Sequence, residues 1–200
     1  MSGESLAQEE VLVVVFTALP LVCLRQVSAT NKHWRHCAQN DYLWKLQCQR
    51  SWSSKAARYH LKLERCAELE KSTSFTTWAD EFQKAKVDGS RCAITHEELT
   101  TLTFTFHTRS FHSAGFRFDS KGFTHGHPSG HSLLWALVDN GRAVRVGPAD
   151  WPVAVVRVCR CPDWSWRLLN GFVCLVEEGS ADLVLQYTSA LLGFSENDAE

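Results

Sequence analysis

The chain has 200 residues, 44% of them hydrophobic and 22% charged, with a formal net charge of −1. That balance excludes a disordered chain, and a charge so near zero gives no electrostatic reason to name nucleic acid or an acidic membrane surface as a partner. Val11 to Cys23 is the longest apolar run, but Thr17 and Pro20 break it well short of the roughly 20 residues that span a bilayer, and Glu4, Glu9 and Glu10 precede it where a secretory signal carries Lys or Arg.

The first half reads as helices. Val11, Leu12, Val15, Phe16 and Leu19 recur at helical spacing. Pro20 ends that helix and opens the next, because a first turn needs no N–H from it. Leu21, Leu24 and Val27 make the second stripe. Asn31 is placed to cap a third helix carrying Trp34, Cys37 and Ala38, and Asp41 to cap a fourth with Leu43, Trp44 and Leu46. A longer helix follows over about residues 54–71, with Ala56, Tyr59, Leu63 and Cys66 on its buried side. After a break at Ser72-Thr73-Ser74, Thr77 starts a helix that faces Trp78, Phe82 and Ala85 inward and stops at Asp88-Gly89. Thr95 and Glu98 fit a capping box on a single turn.

Near Leu99 the hydrophobic period drops from 3.6 to 2. Leu102, Phe104 and Phe106 alternate with polar residues, as do Phe116 and Phe118, and then Leu133, Trp135 and Leu137. Asn140-Gly141 and Asn170-Gly171 read as two-residue hairpin turns, the first leading into Val144 and Val146, the second joining Trp164, Trp166 and Leu168 to Phe172, Cys174 and Val176. Val153 to Val158 is another strand, and Leu183, Leu185 and Tyr187 close the series. Frequent short strands separated by turns predict a small antiparallel barrel or sandwich of about eight strands, so the chain is α+β. Trp164 and Trp166, two apart, are expected on one sheet face. The residues from Ser195 to Glu200 form an acidic tail.

The N-terminal clusters resemble the F-box. Glu9-Glu10-Val11-Leu12 and Phe16, Leu19-Pro20, Leu24-Arg25-Gln26-Val27, Lys32 with Trp34, and Asp41 to Lys45 stand in the order and spacing of that motif over residues 7 to 48. Ala7-Gln8 replaces the family's first Leu-Pro pair, and Thr30-Asn31 replaces apolar residues before Lys32. The resemblance implies an incomplete helical module that shows Val11, Leu12, Val15, Leu19, Pro20, Leu24 and Val27 to a Skp-type adaptor, and through it to a cullin. It implies a non-catalytic subunit of a ubiquitin ligase working in the cytoplasm or nucleus. The implied organisation is an F-box at 7–50, a helical linker at 51–98, a β domain at 99–190 that recruits a target protein, and the tail at 191–200. The alternative is a stand-alone β-barrel-like binding protein with a packed helical N-terminus.

Other features are weaker. The stretch between Phe118 and Leu133 is rich in glycine and carries His125, His127 and His131, a possible target-binding loop. Those histidines lack the Cys-x-x-Cys or His-Glu-x-x-His spacing of a zinc site, so no metal is assigned. No phosphate-cradling loop, nucleophile elbow or dinucleotide fingerprint occurs, so no cofactor and no catalytic residue are assigned. The eight cysteines read as reduced thiols packed like small hydrophobes.

Overall fold

The structure is a computed structural model, and it describes residues 3–71, 75–108, 112–147 and 154–180. The expected strand at Leu183 to Tyr187, the acidic tail and the break at residues 72–74 lie outside the described residues. The chain divides into two compact units, one holding Met1–Ser54 and Tyr59–Asp88, the other Lys55–Arg58 and Gly89–Glu200.

The first unit contains α1 (Gly3–Thr17), α2 (Leu21–Thr30), α3 (Lys32–Ala38), α4 (Asp41–Trp52), most of α5 (Ala57–Leu69) and nearly all of α6 (Trp78–Gly89). Pro20 separates α1 from α2 as its chemistry requires, and its carbonyl accepts the N–H groups of Cys23 and Leu24 at 2.9 and 3.1 Å. Asn31 caps α3 by accepting from the Trp34 N–H at 2.8 Å. The cap of α4 is Asn40, not Asp41: Asn40 accepts from the Tyr42 N–H at 3.0 Å, which leaves Asp41 inside the first turn. Asp41 instead accepts from the Trp78 N–H at 2.7 Å, so its carboxylate serves the start of α6. Trp78, Phe82 and Ala85 all face inward, as do Tyr59 and Cys66 on α5.

Among the described residues the second unit holds an eight-stranded antiparallel sheet rolled into a nearly closed barrel. Its strands are β1 (Thr103–His107), β2 (His112–Phe118), β3 (Thr124–His125), β4 (Leu134–Val138), β5 (Ala143–Gly147), β6 (Ala154–Arg160), β7 (Trp166–Leu169) and β8 (Cys174–Glu177). Their order is β3-β2-β1-β8-β7-β6-β5-β4. A bridge between Phe123 and Leu134 links the two ends of that order, with Thr124 donating to the Leu133 carbonyl and Trp135 to the Gly122 carbonyl, both at 2.8 Å. This closure decides between the two expected architectures, since a sandwich would leave those edges unpaired. Alternate residues fill the interior: Phe104, Phe116, Phe118, Trp135, Val144, Val156, Trp166, Leu168 and Leu175, with Ile94 and Leu99 packed on them. Leu99 is brought there by α7 (His96–Thr101), a single turn opened by the Thr95–Glu98 capping box.

Four local expectations are corrected. The β4–β5 connection spans four residues, not two, because Asp139, Asn140 and Gly141 all take positive φ and form one 3-10 turn. The β7–β8 connection also spans four residues, and neither Asn170 nor Gly171 has positive φ. There the Asn170 side chain accepts from the Phe172 and Val173 N–H groups, both at 2.9 Å, so it folds the turn itself. Trp164 does not share a strand face with Trp166: it sits in the β6–β7 turn with φ 62, while Trp166 is fully buried in the barrel. His107, expected on the wet side of β1, is buried beside His112 with ring centroids 6.0 Å apart.

Charge is also stored inside this unit. Glu177 on β8 is buried, accepts from Arg58 Nη1 at 2.7 Å and from the Trp166 N–H at 2.7 Å, and its pKa is raised by burial against the pull of Arg58. Asp163 accepts from the Ser165 and Ser180 hydroxyls at 2.6 and 2.7 Å.

Candidate functional site: the outer face of the first helices

Helices α1 to α4 close around a small core of Phe16, Leu24, Cys37, Ala38 and Leu43, with Leu12, Val13, Leu19 and Val27 half-buried around it. Trp34 meets Phe16 edge-on at 6.2 Å. Burial pushes the Cys37 thiol up, and the Glu9 carboxylate adds to that shift. The turn after α1 is tied down by the Gln47 amide, which donates to the Leu19 carbonyl at 3.2 Å, and by Arg50, which donates to the Thr17 carbonyl. These bonds hold α1 at a fixed angle to α4. The Trp44 indole donates to the Ala38 carbonyl at 3.0 Å and its ring packs on Phe82, so Trp44 works within the unit.

What distinguishes α1 is that it is apolar on both sides. At 100° per residue, Leu12, Val13 and Phe16 share the inward arc, while Val11, Val14 and Val15 fall on the opposite arc. Those three valines are 62%, 67% and 51% exposed, and Val22 on α2 is 61% exposed. A helix hydrophobic all round belongs in an interior. Here one of its faces is covered by this chain and the other by none of the described residues. Beside that face lies a cleft of about 560 Å³ with Val13, Val14 and Cys37 in its wall and Glu9 and Glu10 on its rim.

The expected contact residues divide accordingly. Val11, Val15 and Pro20 are exposed; Leu12, Leu19 and Val27 are half-buried, packed against the core yet reachable. Leu24 departs from the expectation, because it is 2% exposed and belongs to the core itself. Sequence reasoning missed Val14 and Val22. Val14 was legible, since it sits three residues after Val11, on the arc of Val11 and Val15.

The histidine stretch of the barrel is more ordered than a free loop. Asp119 gathers it: its carboxylate accepts from the Lys121 and Phe123 N–H groups at 2.9 and 2.8 Å and lies 2.8 Å from His125 Nε2. The His125 contact and the Phe123 N–H together hold the Asp119 carboxyl below the usual range. His125 lies on β3 and remains exposed. His127 turns away, its Nδ1 2.6 Å from the Ser129 hydroxyl and its ring edge-on to Phe106. Burial lowers its pKa, and His131 adds to that. His131 is exposed. Among the described residues no three His, Cys, Asp or Glu side chains are grouped so as to hold a metal ion. Asp119, the residue that organises this stretch, was not singled out from sequence, although Asp-Ser-Lys-Gly is an Asx-turn signal.

Residues 9–50 match the family model of the F-box-like domain. Over that fifth of its length the chain is similar to an F-box-like domain. F-box domains are typically non-catalytic adaptor modules and generally bind Skp-type adaptors, and the match runs from Glu9 within α1 to Arg50 within α4 while leaving the barrel unassigned. No curated protein and no solved structure matches the chain. No helix among the described residues is long and apolar enough to cross a membrane.

Proposed function

We propose that this protein is a substrate-receptor subunit of a Skp-cullin-F-box ubiquitin ligase: the F-box-like domain holds a Skp-type adaptor, the adaptor holds a cullin, and the barrel recruits a target protein. The observation that carries this reading is the exposed valine face of α1 inside the segment that matches the F-box-like family. Covering Val11, Val14 and Val15 removes apolar surface from water, and helix-on-helix packing is the form of contact a straight valine stripe accepts. Leu12, Leu19 and Val27, half-buried around the core, and exposed Pro20 extend the contact beyond the valines. Leu24 contributes from beneath, by fixing how those two helices meet. Eight thiols with no disulfide among them suit the cytoplasm or nucleus.

Co-expression with a Skp-type adaptor tests the proposal. The two chains should elute together from size exclusion at one-to-one stoichiometry. A monodisperse chain that the adaptor does not shift refutes it, and favours a barrel-like binding protein whose helices merely complete the fold.

A further inference from the structure

The inward residues of β4 to β7 are buried: Trp135, Val144, Val156, Val158, Trp166 and Leu168. Alternation along the strands therefore sends Arg145, Val155, Arg157 and Arg167 to the outer face. The register places them. Arg145 lies opposite Val155 and Ala143 opposite Arg157, so Arg145 and Arg157 are diagonal neighbours. Arg157 lies opposite Leu169 and Cys159 opposite Arg167, so the diagonal continues onto β7. Diagonal positions on neighbouring strands are about 7–8 Å apart.

No Asp or Glu occurs on β4, β5, β6 or β7. Arg145 and Arg157 are exposed, and neither has a hydrogen-bond or ion-pair partner among the described residues. Arg167 is half-buried and already engaged within the chain. Val155, beside both free guanidinium groups, is 50% exposed. Two exposed guanidinium groups on one diagonal, with no carboxylate on these strands, make a positive patch that favours an anionic partner.

An extended peptide has the matching repeat. Every second side chain points to the same side, and two residues at about 3.3–3.4 Å of rise come close to the diagonal spacing. Carboxylates at alternate positions would each meet one guanidinium in the two-pronged geometry that arginine favours. The apolar surface of Val155 favours a peptide over a phosphate backbone, which brings no apolar atoms to that spot. We propose that the outer face of β5 and β6, centred on Arg145, Val155 and Arg157, docks an extended acidic segment with Asp or Glu at alternate positions. The inference rests on the barrel being the half that recruits the target, and it names the chemistry of that target.

The test is fluorescence anisotropy with the 200-residue chain and a labelled peptide of alternating Glu and Val. A peptide of alternating Lys and Val and a mixed-sequence single-stranded DNA are run beside it. The acidic peptide should bind alone of the three, and its affinity should fall about tenfold or more as salt rises from about 0.05 to 0.3 M. Arg145→Gln with Arg157→Gln should weaken it a further tenfold or more at low salt, with the melting temperature within about 2 °C of the unsubstituted chain, as surface changes allow. Binding of the Lys peptide or of the DNA as tight as that of the acidic peptide or tighter, no binding of the acidic peptide, or indifference to the double substitution overturns the proposal. Adaptor capture on the same samples keeps the two readings apart. A formed adaptor complex with no peptide binding sinks the acidic-segment inference alone. Peptide binding with no adaptor complex sinks the ligase reading and leaves the barrel an acidic-peptide binder.

Discussion

Replacing Val11, Val14 and Val15 together by alanine removes two carbons from each of three side chains that are 62%, 67% and 51% exposed. At about 0.8 kcal/mol per buried carbon, scaled by an exposed fraction of about 0.6, the six carbons contribute about 3 kcal/mol to a contact that covers them. That corresponds to a loss of about 100-fold in adaptor affinity. The unbound chain should not suffer, since alanine is a better helix former than valine and these side chains add little to the core. The measurement is isothermal titration of a purified Skp-type adaptor into the triple variant, with circular dichroism and thermal melting on the same sample. Leu24→Asp is the contrasting control: it buries a carboxylate in a core position and should unfold the helices. A loss of binding there would say nothing of the interface. A triple-alanine variant that keeps both its fold and its full affinity refutes the argument that this face is where the adaptor sits.

Three further outcomes follow from the barrel and the thiols. Gly141 has φ +86 and its α-carbon faces the Ile94 carbonyl oxygen, whereas Gly130 has φ +73 and open space around it. Gly130→Ala should lose about 1 kcal/mol for the left-handed backbone alone, and Gly141→Ala about 2–4 kcal/mol once the clash and the Ile94–Gly141 hydrogen bond are added. Urea unfolding followed by tryptophan fluorescence measures both, and equal losses would show the Ile94 contact to be irrelevant. Burial, helped by His112, lowers the His107 pKa to about 4 from 6.5. A depressed folded pKa means the neutral ring favours folding, so the barrel should be at full stability above pH 6.5 and lose roughly 1–3 kcal/mol as pH falls from there toward 4. His107→Gln should flatten that part of the stability curve, and an unchanged slope would rule out His107 as its source. Burial and the neighbouring Cys66 push the Cys48 thiol up to about 12, while Cys92 is exposed. At neutral pH a maleimide should modify Cys92 in the native protein and leave Cys48 until the chain is unfolded, as mass spectrometry would show.

Local chemistry set much of this molecule in advance. Pro20, Asn31 and the Thr95–Glu98 box place helix ends through bonds made within a few residues, so their positions were legible in the sequence. The alternation of Phe104 with Phe106, and of Phe116 with Phe118, likewise named two strands and the phenylalanines that fill the interior, though not the burial of His107. The F-box clusters were legible because punctuation and apolar spacing are both short-range signals. Tertiary structure decided what depends on distant partners. Asp41 lost the cap of α4 to Asn40 because the Trp78 N–H offered its carboxylate a better use. Leu24 reads as one more residue of the exposed helical stripe, and only the packing of α2 into the core with Phe16, Cys37 and Leu43 buries it. Closure through Phe123 and Leu134 turned an ambiguous set of strands into a barrel, and the pairing of β5 with β6 brought Arg145 and Arg157 from separate strands onto one diagonal. Periodicity names the face on which a side chain lies; pairing across the sheet alone names its neighbours.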